Sequence, residues 1–296
     1  SPVAVNPAEL ASYQGPALCY NRRQIAQSSP FSPAGTTRRL PQAFKVLRPM
    51  YHQLDLARSG KALFKIRGKY LKYVGILSVV IAYFNGAMGP FDANGANLAW
   101  FCVAFGIAAA GALLRIVTSG HAALGTSGSN KVAAVAPELN TTGPYSLVRN
   151  PLYLGRILNF TGIAMLSGSW EYGALVFFVC ILVYERISVY EEEFLREEFG
   201  EAHSQWAEEV PFLMPRLRGW KKPKYPFWIR RCIKREEKKI IWLVTVAAAC
   251  DFAQRGFDPG QLPDNLFWYY LWAAGLLAYM ISRGLRYFTS TYDGIS

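Results

Sequence analysis

Two stretches of the chain hold residue types that could do chemistry. The first is Thr141-Thr142-Gly143-Pro144-Tyr145-Ser146-Leu147-Val148-Arg149-Asn150-Pro151-Leu152-Tyr153-Leu154-Gly155. Gly143-Pro144 reads as a turn, and Pro151 suits the first turn of a following helix, where its missing N–H costs nothing. A helix start presents free N–H groups and the positive end of the dipole, which suit a carboxylate. Arg149, just before it, adds a two-pronged donor for the same anion. Tyr145 and Tyr153 offer flat faces to a ring or a cation. Gly155 lets a ligand approach the backbone one turn into the helix. Taken alone, these residues also read as a membrane-entry loop carrying an interfacial arginine and tyrosines.

The second stretch is Glu191-Glu192-Glu193-Phe194-Leu195-Arg196-Glu197-Glu198-Phe199-Gly200-Glu201. By itself it reads as a solvated acidic helix end. Placed at the mouth of a helical hairpin, the same acids could face a cationic cofactor.

The elements that must position these residues are membrane helices. Of 296 residues, 52% are hydrophobic and only 18% are charged, and the mean hydropathy is +0.11. A soluble domain is nearer a quarter charged, so a cytosolic globule, a disordered chain and a disulfide-stapled module are all excluded. Five scattered cysteines and three distant histidines form no zinc spacing, so no metal site is expected. The net charge of +12 on so apolar a chain points to an anionic membrane surface and not to nucleic acid.

Tyr73–Phe91, Ala93–Leu114 and Asn265–Ser282 are charge-free and approach spanning length. Ile157–Trp170 and Tyr172–Tyr184 are shorter and read as a tight hairpin turning at Ser167-Gly168-Ser169-Trp170. Arg156, Glu171, Glu185 and Arg186 interrupt its edges and are expected to face protein or a cavity. Ile240–Cys250 is the sixth and weakest span. The expected fold is therefore all-α, a polytopic integral membrane protein with about six transmembrane helices.

Ten basic residues between Arg38 and Lys72, and eleven between Arg216 and Lys239, set both termini and the Arg115–Arg149 loop on the cytoplasmic or matrix side. A bacterial inner membrane or an organellar membrane fits this pattern. Residues 1–40 form an extended Pro- and Ser-rich arm without a signal-peptide core. Residues 41–72 form a basic interfacial segment, with Phe44, Leu47, Tyr51 and Leu54 at helical spacing. Residues 73–217 form the core, and residues 218–296 a basic linker plus two C-terminal membrane helices.

The order GPYSLVRNPLYLG, apolar hairpin, EEEFLREEFGEAHSQWAEEVPFLMPRL resembles the isoprenylcysteine carboxyl methyltransferase and phospholipid methyltransferase family, and its bacterial-type RNPLYLG branch most. The resemblance runs from about Gly111 to Leu217. It implies a multi-span membrane enzyme using S-adenosylmethionine to methylate a lipid or lipidated acceptor. It also implies cofactor binding by Gly143, Pro144, Tyr145, Arg149, Asn150, Pro151, Tyr153 and Gly155, with Glu191 and Glu192 as the catalytic acids. Asn150 stands where eukaryotic members carry histidine, and His203 and Trp206 replace the family's usual tyrosines. Transfer from a sulfonium needs positioning more than side-chain chemistry, so a site without histidine, cysteine or metal can work. A different reading is a methyltransferase-like structural subunit of a larger membrane complex, contacting other subunits through residues 1–40.

Overall fold

The computed structural model describes residues 55–68, 70–86, 96–126, 136–261 and 266–289. The N-terminal arm, together with Phe44, Leu47, Tyr51 and Leu54, lies outside these residues. Among the described residues the regular structure is all helical. A helix runs through residues 55–66 (α1). It is followed by α2 (Tyr70–Asn85), α3 (Ala96–His121), α4 (Pro151–Met165), α5 (Trp170–Glu209), α6 (Ile229–Gln254) and α7 (Phe267–Phe288), with short 3-10 turns at Gly143–Ser146 and Pro259–Gln261.

The expected hairpin is present. Gly168 takes a positive φ of 78°, and the Ser169 hydroxyl caps α5 by accepting from Tyr172 N at 3.0 Å, which together reverse the chain within four residues. Its arms are unequal. α4 has 15 residues, about 22 Å, and is too short to cross a bilayer alone. α5 has 40 and carries the acidic stretch across a kink at Gly200. Of the interrupting charges only Arg156 turns inward, donating to Arg67 O at 3.1 Å. Glu171 and Glu185 are exposed, and Arg186 bonds back to Leu182 O of its own helix.

Among the described residues two helices are long and apolar enough to cross a membrane, Leu98–His121 and Trp170–Glu209; the fuller six-span count stays an expectation. Ile76, Leu77, Val80 and Phe84 of α2, Leu175, Phe178 and Leu182 of α5, and Leu277 and Met280 of α7 all face outward. Apolar surface on this scale suits lipid better than water.

α3 extends through His121, so Arg115 sits in a helix and not at a loop edge. α3 and α4 touch through small residues. A methyl on Gly111 would lie 2.5 Å from Gly155 O, and one on Gly162 would lie 2.4 Å from Ala108 N. Such contact lets backbones approach closely inside a membrane. Residues 218–296 are no appendage. Leu243, Val246, Ala247 and Cys250 of α6 and Trp268 of α7 share one core with Ala82, Phe101, Ala104 and Ile163.

Candidate functional site

The turn that carries Gly143 to Ser146 is held by the chain that follows α5. Gly143 N donates to Lys221 O at 2.9 Å, Arg216 N to Leu147 O at 3.0 Å, and Arg149 N to Pro211 O at 2.9 Å. Lys221 N donates to the Ser146 hydroxyl at 3.0 Å. Gly143 has φ +61°, and a Cβ there would meet Pro223 at 3.2 Å, so a side chain is disfavoured on both counts. The basic segment 216–228 thus lies alongside the motif. It also seals the end of α3: Trp228 N donates to Gly120 O, and Arg231 donates to the Ala122 and Ala123 carbonyls at 2.6 and 3.0 Å. A cation at a helix C-terminus is favourably placed against the dipole.

α5 breaks at Gly200 (φ 53°, ψ −120°), a conformation essentially open only to glycine. The break folds residues 201–209 back over the motif, where Trp206 Nε1 donates to Tyr145 O at 3.2 Å.

At the start of α4, Arg149 Nη1 pairs with Glu192 Oε2 at 3.3 Å, both side chains about a fifth exposed. Asn150 donates from Nδ2 to Glu192 Oε1 at 3.2 Å and to Phe212 O at 3.3 Å, leaving its capping position without a side-chain bond. The Arg149 guanidinium lies 5.6 Å over the Phe212 ring. Its Nε is buried without a hydrogen-bond partner.

Deeper in, Tyr153 stacks on Tyr184 with centroids 5.0 Å apart. Tyr153 is the first group acting on Glu191, ahead of Arg67 and Arg156. Arg67 is buried, with its guanidinium 3.4 Å over Phe64. The Tyr145 phenol feels Glu191, Arg231, Arg115 and Arg235, and burial pushes its ionisation well above the ordinary tyrosine range. It therefore stays a neutral hydrogen-bonding group at any physiological pH. Tyr145, Arg149, Asn150, Arg156, Glu191 and Glu192 all keep partial exposure.

The structure thus brings Arg149, Asn150 and Glu192 into contact, next to Glu191 on α5, with Tyr153 stacked on Tyr184 and Tyr145 on the turn that Trp206 covers; Gly143 and Pro144 form that turn and Pro151 opens α4. Gly155 has a different use. A methyl there would lie 2.6 Å from Arg115 Cγ and 2.8 Å from Gly111 O, so its bare backbone faces α3 and leaves no room for a ligand. Sequence reasoning missed Arg67, Tyr184, Phe212 and the 211–224 support. Arg67 is one of several basic residues in its run, with Lys61, Lys65 and Lys69, so nothing local marks it out; the 211–224 support is long-range and leaves no local pattern.

Residues 101–202 match the model of the phospholipid methyltransferase family, in agreement with the motif resemblance. Among curated proteins, a cobalt-zinc-cadmium resistance protein, CzcN, of Cupriavidus metallidurans is 34% identical over 79 residues, 27% of this chain and 36% of that protein. A nickel-cobalt-cadmium resistance protein, NccN, of Alcaligenes xylosoxydans xylosoxydans is 32% identical over 80 residues, 27% and 37% of the two chains. The chain thus spans little more than a third of the length of the curated relatives it matches. No solved structure matches. The match to a methyltransferase family model over residues 101–202, together with two helices of spanning character, points to a membrane-associated protein.

Proposed function

We propose that this protein transfers a methyl group from S-adenosylmethionine to a lipid-borne acceptor bearing a carboxylate, phosphate or amine. The observation that carries the reading is the incompletely satisfied Arg149–Glu192 pair at the start of α4. An arginine and a glutamate side by side, each partly exposed, are complementary to the carboxylate and ammonium of an amino-acid group. The orphaned Arg149 Nε supplies a donor that nothing in the chain uses.

Arg149, with Asn150, would hold the carboxylate, and Glu192 the ammonium. Tyr145 and Tyr153 would line the cationic centre with ring faces and phenol oxygens. The bound cofactor would supply an electrophilic methyl on a sulfonium. Glu191, held between Tyr153 and the arginines, would order the acceptor, and the folded-back 201–209 segment would exclude water. An anionic acceptor needs no base; an amine would have to arrive neutral. Outward apolar faces on α2 and α5 suit an acceptor arriving through the bilayer. The RNPLYLG motif and the bacterial relatives support the bacterial-type branch. The crowding of Arg216 to Lys239 at the site end supports a cytoplasmic or matrix-side site.

Binding of radiolabelled S-adenosylmethionine to the purified full chain is the test. Wild type and a Lys222→Ala variant bind alike, and Arg149→Ala binds weakly. A folded wild-type protein that binds none defeats the proposal and favours the structural-subunit reading. Labelling of cysteines placed at Asp258 and Lys222 from opposite faces tests the sidedness.

A further inference from the structure

His203 is the least explained side chain near the site. It is only 4% exposed, yet neither ring nitrogen has a hydrogen-bond partner. A buried imidazole left this way carries a desolvation penalty with nothing to offset it. Its environment is one-sided. The ring stands edge-on to Trp206 at 5.7 Å, and the charges acting on it are Arg149 and Arg196, both cationic. Glu192 is already engaged by Arg149 and Asn150. Arg149 contributes a second orphaned donor, Nε, to the same neighbourhood. Nor is the placement of His203 incidental: the Gly200 break and the Trp206 bond to Tyr145 O fold this part of the chain onto the motif.

Two unpartnered buried donors among cations describe a place for an anion. We propose that His203 is a binding residue, donating a ring N–H to the carboxylate that Arg149 holds. This deepens the cofactor reading above and rests on it. The ligand class is an α-amino acid group, and the residue separates ligands that carry that group from ligands that lack it.

The test uses the purified full-length protein with three probes: S-adenosylmethionine, S-adenosylhomocysteine and methylthioadenosine, the last lacking the amino-acid end. His203→Leu should weaken the first two by about ten- to a hundredfold, the range for one hydrogen bond to a charged group. Affinity for methylthioadenosine should not change. His203→Gln, which keeps a donor, should recover part of the loss. The unliganded His203→Leu protein should melt at the wild-type temperature or above, because an unsatisfied buried polar group has been removed. Unchanged affinity for all three probes in His203→Leu overturns the proposal, since the ring then meets only internal water. An equal loss for methylthioadenosine also overturns it, placing His203 at the adenosine end. If wild type binds none of the three, the methyltransferase reading itself fails.

Discussion

Two arginine–glutamate pairs lie at the same end of the helices and could hardly be more different. Arg115 meets Glu236 through two bonds, 2.8 and 3.2 Å long, with both side chains under a tenth exposed. Lys239 closes on the same carboxylate at 2.7 Å, and the remaining arginine nitrogen reaches Leu152 O at 3.2 Å. Arg149 meets Glu192 through one contact of 3.3 Å, with both side chains about a fifth exposed. The first pair joins α3, α4 and α6 and has used its donors. The second has a donor to spare. The closed pair is a structural tie; the open one is the pair on which the proposed cofactor site rests.

The largest expected effect tests the closed pair. Glu236→Gln leaves the buried Arg115, and Lys239 beside it, without a counter-charge, and should cost about 3–5 kcal/mol of stability. Unfolding in detergent micelles measures it, and a loss below about 1 kcal/mol would erase the distinction between the pairs. Arg149→Gln should do the reverse. Its pair is partly solvated, so stability should change by less than about 1 kcal/mol. Affinity for S-adenosylmethionine should fall by about 1.5–3 kcal/mol. A destabilised variant with intact affinity would make the second pair structural as well.

Gly155→Ala sharpens the first half of the comparison, because the new methyl must displace the Arg115 stem or the α3 backbone. Overpacking of this kind costs about 1–3 kcal/mol, readable in the same unfolding assay. The smallest effect concerns a third, surface pair. Glu138 accepts hydrogen bonds from Lys224 Nζ at 2.6 Å and from the Tyr225 hydroxyl, and the Lys224 bond above all holds its carboxyl below the usual value of 4.5. A depressed carboxyl stabilises the fold above the ordinary glutamate range, and that contribution disappears as pH falls through it and below. The protection of amides 136–142, after correction for the intrinsic pH dependence of exchange, should therefore fall below about pH 4.5, and Glu138→Gln should abolish that fall.

The hairpin was legible because Gly168 and Ser169 carry their conformations in their residue types. So was the start of α4, fixed by Pro151. The pairing of Arg149 with Glu192 was only half legible. Both were singled out, but nothing local says that residues 43 apart meet. Gly155 misled because a glycine that admits a ligand and one that admits a neighbouring helix look alike in sequence; the missing clue was Gly111, 44 positions earlier. The Gly200 break was hidden for a similar reason, since the acidic run around it reads as an unbroken helix until φ is known.

The stack of Tyr184 on Tyr153, with Glu191 seven residues later facing the same phenol, also limits how the gene can vary. Seven residues are very nearly two helical turns. One codon gained or lost between them would rotate the carboxylate by about 100° and slide it about 1.5 Å along α5. Length changes there should be lethal to the site even where each new residue is apolar and tolerated by lipid. Insertions between residues 126 and 136, which precede the motif and lie outside α5, leave this helical phase untouched. Random insertion libraries should therefore show a silent gap over 184–191.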